Sequence, residues 1–283
     1  MPQWTVSKEQ SGKKLVQFLS DCLPTLSQRK IKAALERNCC EVNGCKERFA
    51  SATVVTGDRI VFDADAAQRL LSKKSAQKNS ASILFEDEFF LIYNKPPGIT
   101  SEELLALLQK TEPNLFLGHR IDRDTSGILI FVKNEDTRQR LIKEFQQLQV
   151  KKSYLAIVDG IPSANKGHIE NELAKRGERG GRPFWGSVPK GKGSRARTEW
   201  KVERKAAASA TALLRCTPLT GRTHQIRVHL SESGHSILGD DLYGERFMCR
   251  YTPPRCLLHA LEMMLRHPYT KEMLCLQAPI PDD

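Results

Sequence analysis

A polar segment at residues 64–82 is the feature that most restricts how this chain of 283 residues can fold. It is rich in Ala, Ser, Lys and Gln and has few large apolar side chains, so it cannot bury enough surface to become ordered. We therefore expect a flexible linker. It separates residues 1–63 from residues 83–283, and each of these segments is long enough to form a domain with its own core.

The first of these segments favours two helices followed by short strands. Residues 12–23 carry apolar side chains at helical spacing, and Ser27 can cap a second helix. Asn43 and Gly44 are a typical hairpin-turn pair, and residues 53–62 have the pattern of a strand, a Gly-Asp turn and another strand. We predict a small α/β domain.

The predicted second helix is strongly basic. Arg29, Lys30 and Lys32 lie largely off its apolar stripe, where they could follow an RNA backbone or simply form a solvated face. Residues 26–31, together with the turn and the strands after them, resemble the S4-like RNA-binding domain, in which this helix carries basic RNA contacts. The resemblance implies that all three side chains bind RNA.

The charge of the whole chain points the same way. Its 44 Lys and Arg outnumber its 33 Asp and Glu, for a formal net charge of +11. Such an excess favours a nucleic-acid partner, because cationic surfaces attract phosphate backbones, although many basic proteins bind no nucleic acid. No apolar run approaches the roughly 20 residues of a membrane span, and residues 1–9 lack a signal-peptide core. We expect a soluble, cytoplasmic protein with no membrane partner.

Eight cysteines could indicate a disulfide framework or a zinc site. The chain is large and has no secretion signal, and only Cys39, Cys40 and Cys45 cluster, without a histidine nearby. His224 and His229 are loosely spaced and have no adjacent third ligand. We expect reduced, mostly buried thiols and no metal.

The segment after the linker alternates strand and helix patterns. Predicted strands lie at residues 89–93, 128–132, 153–158 and 211–215, a strand-like or mixed segment lies at residues 225–230, and predicted helices lie at residues 102–109 and 135–149. This alternation is typical of a mixed sheet with flanking helices. We therefore predict an α+β fold, with a mainly antiparallel sheet in this segment and the small α/β domain before it.

Residues 175–197 are Gly-rich and basic, with Phe184 and Trp185 near the middle. One interpretation is an RNA-contacting loop whose aromatic rings stack on bases. The other is a mobile, solvated loop whose aromatic rings pack back on the core. The residues alone favour neither interpretation.

Two charged segments lead into apolar runs. The first, at residues 119–127, contains the carboxylates Asp122 and Asp124, and charges at the mouth of a buried strand are costly unless they are paired or functional. The second, at residues 220–230, alternates Arg and His with apolar residues, and strand alternation would turn one set inward. An inward Arg needs a carboxylate, and Asp122 is a candidate. A salt-bridged turn without function is the alternative.

Five motifs then occur in the order found in the RluA-type pseudouridine synthases, which modify large-subunit rRNA and tRNA. They are NKPPG (94–98), HRIDRDTSG (119–127), KSYLAIVDG (152–160), RARTEW (195–200) and GRTHQIRVHL (221–230) with its tail GDDLYG (239–244). The resemblance covers residues 83–283. Together the ordered motifs are far more specific than any one of them.

This resemblance implies an enzyme that flips a uridine out of its stack and moves its glycosidic bond from N1 to C5, without a cofactor or a metal. It implies that Asp122 is the nucleophile, acting at C1′ or on a sugar proton, and that Arg227 pairs with it. Tyr154 would stack on the base, and Asp124 is the disfavoured rival nucleophile. The other implied substrate- or RNA-binding residues are His119, Arg120, Thr125, Arg222, His224, Gln225 and Ile226.

The implied partner is structured RNA. The S4-like domain favours large-subunit rRNA, and tRNA is the alternative substrate. A non-catalytic RNA-binding or ribosome-assembly protein would be favoured if Asp122 or Tyr154 were missing, and both are present. A metal-dependent hydrolase is a third hypothesis. We expect a monomer.

Overall fold

The structure is a computed structural model that describes residues 2–35, 39–47, 49–64, 82–244 and 247–281. The chain divides into two compact units, Met1–Gln77 and Lys78–Asp283. Nearly all of the predicted linker at residues 64–82 lies outside the described residues, so its flexibility stays a prediction. No helix in the described ranges is both long and apolar enough to cross a membrane.

The first unit packs two helices on a small antiparallel sheet. Its α-helices and strands are β1 (Gln3–Thr5), α1 (Leu15–Cys22), α2 (Gln28–Leu35), β2 (Cys40–Val42), β3 (Cys45–Lys46) and β4 (Arg59–Phe62), with a short 3-10 helix at Lys8–Gln10. The strand order is β1-β4-β2-β3. Phe18 of α1, Ile31 of α2 and Phe62 of β4 are buried in one core. The predicted α/β character of this unit is confirmed.

Two local predictions for this unit have different outcomes. Asn43 and Gly44 both have positive φ, 53° and 80°, and join β2 to β3 as the hairpin turn that their side chains favour. The first strand predicted within residues 53–62 is wrong, because Thr53 makes only an isolated bridge to Lys14. The backbone of Val54 instead bonds the segment that precedes α1.

The second unit is built on one long sheet. Its strands are β5 (Ile83–Glu86), β6 (Phe90–Lys95), β7 (Phe116–Leu117), β8 (Ser126–Val132), β9 (Lys151–Asp159), β10 (Lys166–Arg179), β11 (Arg182–Val188), β12 (Ser194–Ala206), β13 (Thr211–Pro218), β14 (Leu258–Arg266) and β15 (Met273–Gln277). Its helices are α3 (Ser101–Leu108), α4 (Glu135–Gln146) and α5 (Gln225–Glu232). The strand order is β11-β10-β12-β13-β9-β14-β8-β6-β5, with β7 paired to β8 and β15 paired to β14.

The sheet is mainly antiparallel, as predicted. Among the strands that the structure describes, only β14 and β8 pair in parallel, through two residue pairs, His259 with Ser126 and Ala260 with Gly127. Because β14 lies between β9 and β8, it joins a half-sheet of β5, β6 and β8 to a half-sheet of β9 to β13.

Strand β8 is buried along its whole length because both faces of the sheet are covered there. Ile128, Ile130 and Val132 face a core that includes Leu141 of α4. Leu129 and Phe131 belong to another cluster, which includes Leu104 and Leu108 of α3. This alternation is the two-residue period of a strand covered on both faces. Because the buried strand has a fixed position, the charged segment that precedes Ser126 also begins from a fixed point of the sheet.

Two segments of the second unit differ from their predictions. Residues 225–230, predicted as a strand-like or mixed segment, form the start of helix α5, and all six are buried. Residues 175–197 are not a loop but the antiparallel pair β10 and β11 and the start of β12, with glycines 180 and 181 at the turn. The cysteine expectation is confirmed in part, since Cys216, Cys249 and Cys256 in this unit are buried and Cys275 is exposed.

Candidate active site

The segment that carries Asp122 is held from below by a buried lysine. Lys95, at the end of β6, is fully buried, and its ammonium donates to the carbonyl oxygens of Pro96 at 2.9 Å, Ile99 at 2.8 Å and Arg123 at 3.0 Å. The amide of Gly98 also donates to the Arg123 carbonyl, at 2.8 Å. Burial lowers the pKa of Lys95 to about 8, although the nearby acidic side chains act in the opposite direction. Two segments that are distant in sequence are thereby tied together beneath the site.

The exit of the segment into β8 requires a glycine. Gly127 has a φ of 108°, and a Cβ added there would overlap the carbonyl of Ala260 on β14. Next to it, Ser126 Oγ hydrogen bonds His259 Nδ1 at 2.9 Å. The close approach of β8 to β14 sets where Asp122 stands relative to the rest of the sheet.

Asp122 pairs with Arg227, as the family resemblance implied. Arg227 Nη1 lies 3.2 Å from Asp122 Oδ2, and the Arg227 side chain is only 5% exposed whereas that of Asp122 is 23% exposed. The carboxylate is therefore held by a buried cation but remains open to a substrate.

Sequence reasoning assigned no role to Asp240, although it lies in the motif at residues 239–244. Its carboxylate accepts hydrogen bonds from Arg227 Nε at 2.7 Å and Nη2 at 2.9 Å, and from the backbone amides of Leu242 and Tyr243. Burial disfavours both charges, but their mutual attraction outweighs it, so the pKa of Asp240 is lowered and that of Arg227 is raised. Arg227 is thus fixed by Asp240 and presents its remaining nitrogen to Asp122.

His224 stands at the start of α5 on the other side of Asp122. It has a φ of 55°, and its Nε2 lies 3.9 Å from Asp122 Oδ1. Its Nδ1 lies 2.7 Å from the hydroxyl of Tyr243. Burial lowers the pKa of His224, although Asp122 opposes the shift. Burial therefore favours the neutral form of the ring.

Tyr154 and Ile226, which the resemblance assigned to the site, belong to one apolar cluster. Tyr154 lies on β9, is half-buried and packs against the cluster that contains Ile226 of α5. Burial raises the pKa of the Tyr154 phenol, and the charge of Asp122 raises it further. The phenol is therefore protonated and lies near the carboxylate.

Three of the predicted binding residues are engaged within the protein. His119 Nε2 accepts the amide of Ile130 at 3.2 Å, and burial lowers the pKa of His119 to about 4. Thr125 is buried in the turn, where its amide donates to the Asp122 carbonyl. Gln225 is buried and donates to the Arg197 carbonyl at 3.0 Å. Their contacts in the structure support the shape of the site.

The predicted basic contacts are exposed. Arg120 pairs with Glu102 at 3.1 Å, and Arg222 Nε donates to the carbonyl of Arg195 at 3.0 Å. In the first unit, three basic side chains of α2 are exposed, namely those of Arg29, Lys30 and Lys32. These five side chains are therefore accessible to a phosphate backbone.

The aromatic residues of the β10–β11 pair pack back on the unit. The ring of Phe184 stacks on that of Tyr243, with centroids 5.2 Å apart, and Arg179 lies 4.2 Å above Phe184. Trp185 is partly buried in the same cluster. This packing favours the second interpretation of these aromatics, while RNA contact by the strands stays a prediction.

His229, the second of the two histidines in the segment at residues 220–230, is hydrogen-bonded within the protein. His229 lies between Thr198 Oγ1 and Asn171 Oδ1, each at 2.9 Å, and burial lowers its pKa to about 4. Within the described residues there is no group of three or more His, Cys, Asp or Glu side chains arranged to hold a metal ion.

Comparison with known proteins identifies the family of the chain. Residues 89–232 match the family model described as RNA pseudouridylate synthase. The chain is 32% identical to the ribosomal large subunit pseudouridine synthase D of Nitrosomonas europaea, over 99% of this chain and 84% of that protein. It is 35% identical to the ribosomal large subunit pseudouridine synthase C of Escherichia coli K12, over 71% of this chain and 66% of that protein.

A solved structure gives the same result. The human RNA pseudouridylate synthase domain containing 1 superposes with a TM-score of 0.62 at 25% identity, over 72% of this chain and 86% of that one. The chain therefore belongs to the RNA pseudouridylate synthase family, and the resemblance carried by its motifs is confirmed. It is therefore a pseudouridine synthase.

Proposed function

We propose that this enzyme converts uridine to pseudouridine in large-subunit ribosomal RNA. The two bacterial relatives named above are ribosomal large subunit pseudouridine synthases, and the first of them matches almost the whole chain. The observation that carries the proposal is the Asp122 carboxylate, which is partly open to solvent and held by an Arg227 that Asp240 fixes from behind.

This geometry supports Asp122 as the nucleophile. An ionised carboxylate can attack C1′ of the ribose or remove a sugar proton, and either route breaks the bond between C1′ and N1 of uracil. The freed base turns, C5 bonds to C1′, the C5 proton leaves and N1 gains a proton, so no atom is gained or lost overall. Tyr154 and Ile226 provide the apolar surface on which the base can turn.

The surrounding basic residues support RNA as the substrate. Arg120 and Arg222 are exposed on segments that flank the site residues in sequence, and phosphate contacts there would offset the cost of flipping the nucleotide. We assign the first unit as an S4-like RNA-binding domain that uses Arg29, Lys30 and Lys32. We further propose a cytoplasmic monomer.

The nucleophile is tested by comparing Asp122→Asn with Asp124→Asn in a pseudouridine assay on unmodified ribosomal RNA. We expect Asp122→Asn to lower the rate by roughly a thousandfold or more, as for loss of other catalytic nucleophiles, and Asp124→Asn to retain most activity. Loss of activity in Asp124→Asn alone would overturn the assignment.

The substrate is tested by mapping pseudouridine in ribosomal and transfer RNA from cells with and without the gene. We expect sites to disappear from large-subunit rRNA. Sites that disappear only from tRNA would replace the rRNA assignment with the tRNA alternative. No lost site in either RNA, together with inactivity of the purified protein, would favour a non-catalytic role.

A further inference from the structure

The hydrogen bonds around Tyr243 determine which nitrogen of His224 carries a proton. The Tyr243 hydroxyl oxygen accepts the backbone N–H of Trp185 at 3.1 Å. In the described part of the chain, the acceptor within reach of the hydroxyl proton is His224 Nδ1, at 2.7 Å. Tyr243 therefore donates to Nδ1, and in a neutral ring the proton must then be on Nε2.

That Nε2–H lies beside Asp122. The separation between Nε2 and Asp122 Oδ1 is 3.9 Å, which is too long for a direct hydrogen bond. A single atom placed between Nε2 and Oδ1 can, however, lie within hydrogen-bonding distance of both. His224 is 17% exposed and Asp122 is 23% exposed, so a substrate atom can reach both. Asp122 Oδ2 is already occupied by Arg227.

The pair therefore offers one donor and one anionic acceptor to a single atom. A hydroxyl oxygen satisfies both, because it can accept from Nε2–H and donate to Oδ1. A phosphate oxygen only accepts and would be repelled by Asp122, and each polar atom of the uracil ring either donates or accepts. The complementary group on an RNA nucleotide is a ribose hydroxyl.

We propose that His224 and Asp122 together bind the 2′-hydroxyl of the target uridine. The inference rests on the proposed function, since a carboxylate that acts on C1′ or on a sugar proton must lie beside the ribose, where C2′ is bonded to C1′. It assigns His224 as a residue that distinguishes ribose from deoxyribose at the target nucleotide. Tyr243 is a positioning residue, because it directs the His224 proton to Nε2.

The test uses large-subunit RNA fragments that contain the mapped target as uridine or as 2′-deoxyuridine. Both kcat/KM and Kd are measured, so that a fragment too slow to react still reports on binding. His224→Asn removes the Nε2 donor and places a residue that tolerates a positive φ at this position. His224→Gln returns an N–H near the position of Nε2. His168→Asn, at an exposed histidine of β10, is the matched control.

We expect wild type to prefer the ribose fragment by about tenfold to a hundredfold, from the two hydrogen bonds of the hydroxyl. His224→Asn should weaken binding and turnover of the ribose fragment by about threefold to tenfold and affect the deoxyribose fragment less, so that the preference for ribose narrows. Tyr243→Phe should also narrow the preference for ribose. His224→Gln should retain more of this preference than His224→Asn does, and His168→Asn should leave the preference unchanged.

If His224→Asn lowered kcat/KM and affinity equally for both fragments, His224 would support the site without binding the 2′-hydroxyl, and the inference would be overturned. An unchanged preference in that variant would overturn it as well. Failure of the proposed function is a separate result, in which wild type forms no pseudouridine in any large-subunit fragment.

Discussion

Replacement of Asp240 by alanine should be among the most destabilising single changes in the second unit. Asp240 has a side chain that is 1% exposed and accepts two hydrogen bonds from Arg227 and two from backbone amides. Its removal leaves a buried guanidinium with Asp122 as the remaining carboxylate, at 3.2 Å. Breaking a buried pair by removing one partner typically costs about 3–5 kcal/mol.

The measurement is the free energy of unfolding in urea, with thermal unfolding alongside. For a domain of this size each kcal/mol corresponds to about 2–4 °C, so the midpoint of Asp240→Ala should fall by roughly 6–20 °C. Asp241→Ala is the matched control. Asp241 pairs with Arg182 at 3.0 Å, but the two side chains are 35% and 41% exposed, so its loss should cost less than about 1 kcal/mol.

Equal stability of the Asp240→Ala and Asp241→Ala variants would refute the reasoning. It would show that Arg227 finds a comparable partner elsewhere, and that Asp240 does not fix it. Asp240→Asn keeps the shape and one acceptor, so its cost should be intermediate. Its activity should still fall, because a less constrained Arg227 aims Asp122 less well.

The remaining predictions concern the support of the Asp122 segment. The pKa of the Lys95 ammonium is about 8 in the folded protein and 10.5 ordinarily, so on raising the pH the folded state loses this proton before the unfolded state does. The contribution of Lys95 to the free energy of unfolding therefore rises between about pH 8 and about pH 10.5. The stability difference between wild type and Lys95→Met should move in favour of wild type by up to about 3 kcal/mol across that window, and a flat or falling difference in urea unfolding would contradict this. Gly127→Ala should lower the free energy of unfolding by about 3 kcal/mol or more because its Cβ overlaps the Ala260 carbonyl, whereas Gly221→Ala, which meets only the end of a lysine side chain at 3.5 Å, should change it little.

The features predicted well from sequence are those set by local patterns. The apolar run of β8 is long and bounded by polar residues, so its burial could be inferred without knowing its neighbours. The ion pair of Asp122 with Arg227 was accessible through the ordered motifs. The reasoning that linked them through strand alternation was wrong, because Arg227 lies on a helix.

Helix α5 was misjudged because it is buried all round. A helix with one buried face shows a 3.6-residue pattern, but here polar residues are buried as well as apolar ones. They are satisfied by distant partners, since Gln225 bonds Thr198, Arg227 bonds Asp240 and His229 bonds Thr198. The sequence of the segment alone does not identify those partners. Its alternation of polar and apolar residues resembled that of a strand.

The β10–β11 pair was misjudged for a related reason. Its glycines and basic residues are typical of a loop, yet the strands are held by pairing across the sheet, where Glu170 of β10 contacts Arg195 at 2.6 Å and Arg197 at 3.3 Å on β12. Cross-strand partners of this kind depend on register, which composition does not reveal. Asp240 was overlooked similarly, because its role depends on a contact with another element.

The place of β14 in the sheet bears on how the enzyme is made. Strands β8 and β9 are synthesised well before β14. In the sheet, however, β14 lies between them and joins the two half-sheets. Asp122 leads into one half-sheet, and helix α5, which carries Arg227, packs on the other through Ile226 and Leu230. A nascent chain without residues 258–266 therefore lacks the strand that joins the two half-sheets and brings Asp122 and Arg227 to 3.2 Å. Such non-local pairing forms late. We therefore expect the chain to become active only after β14 has left the ribosome and entered the sheet.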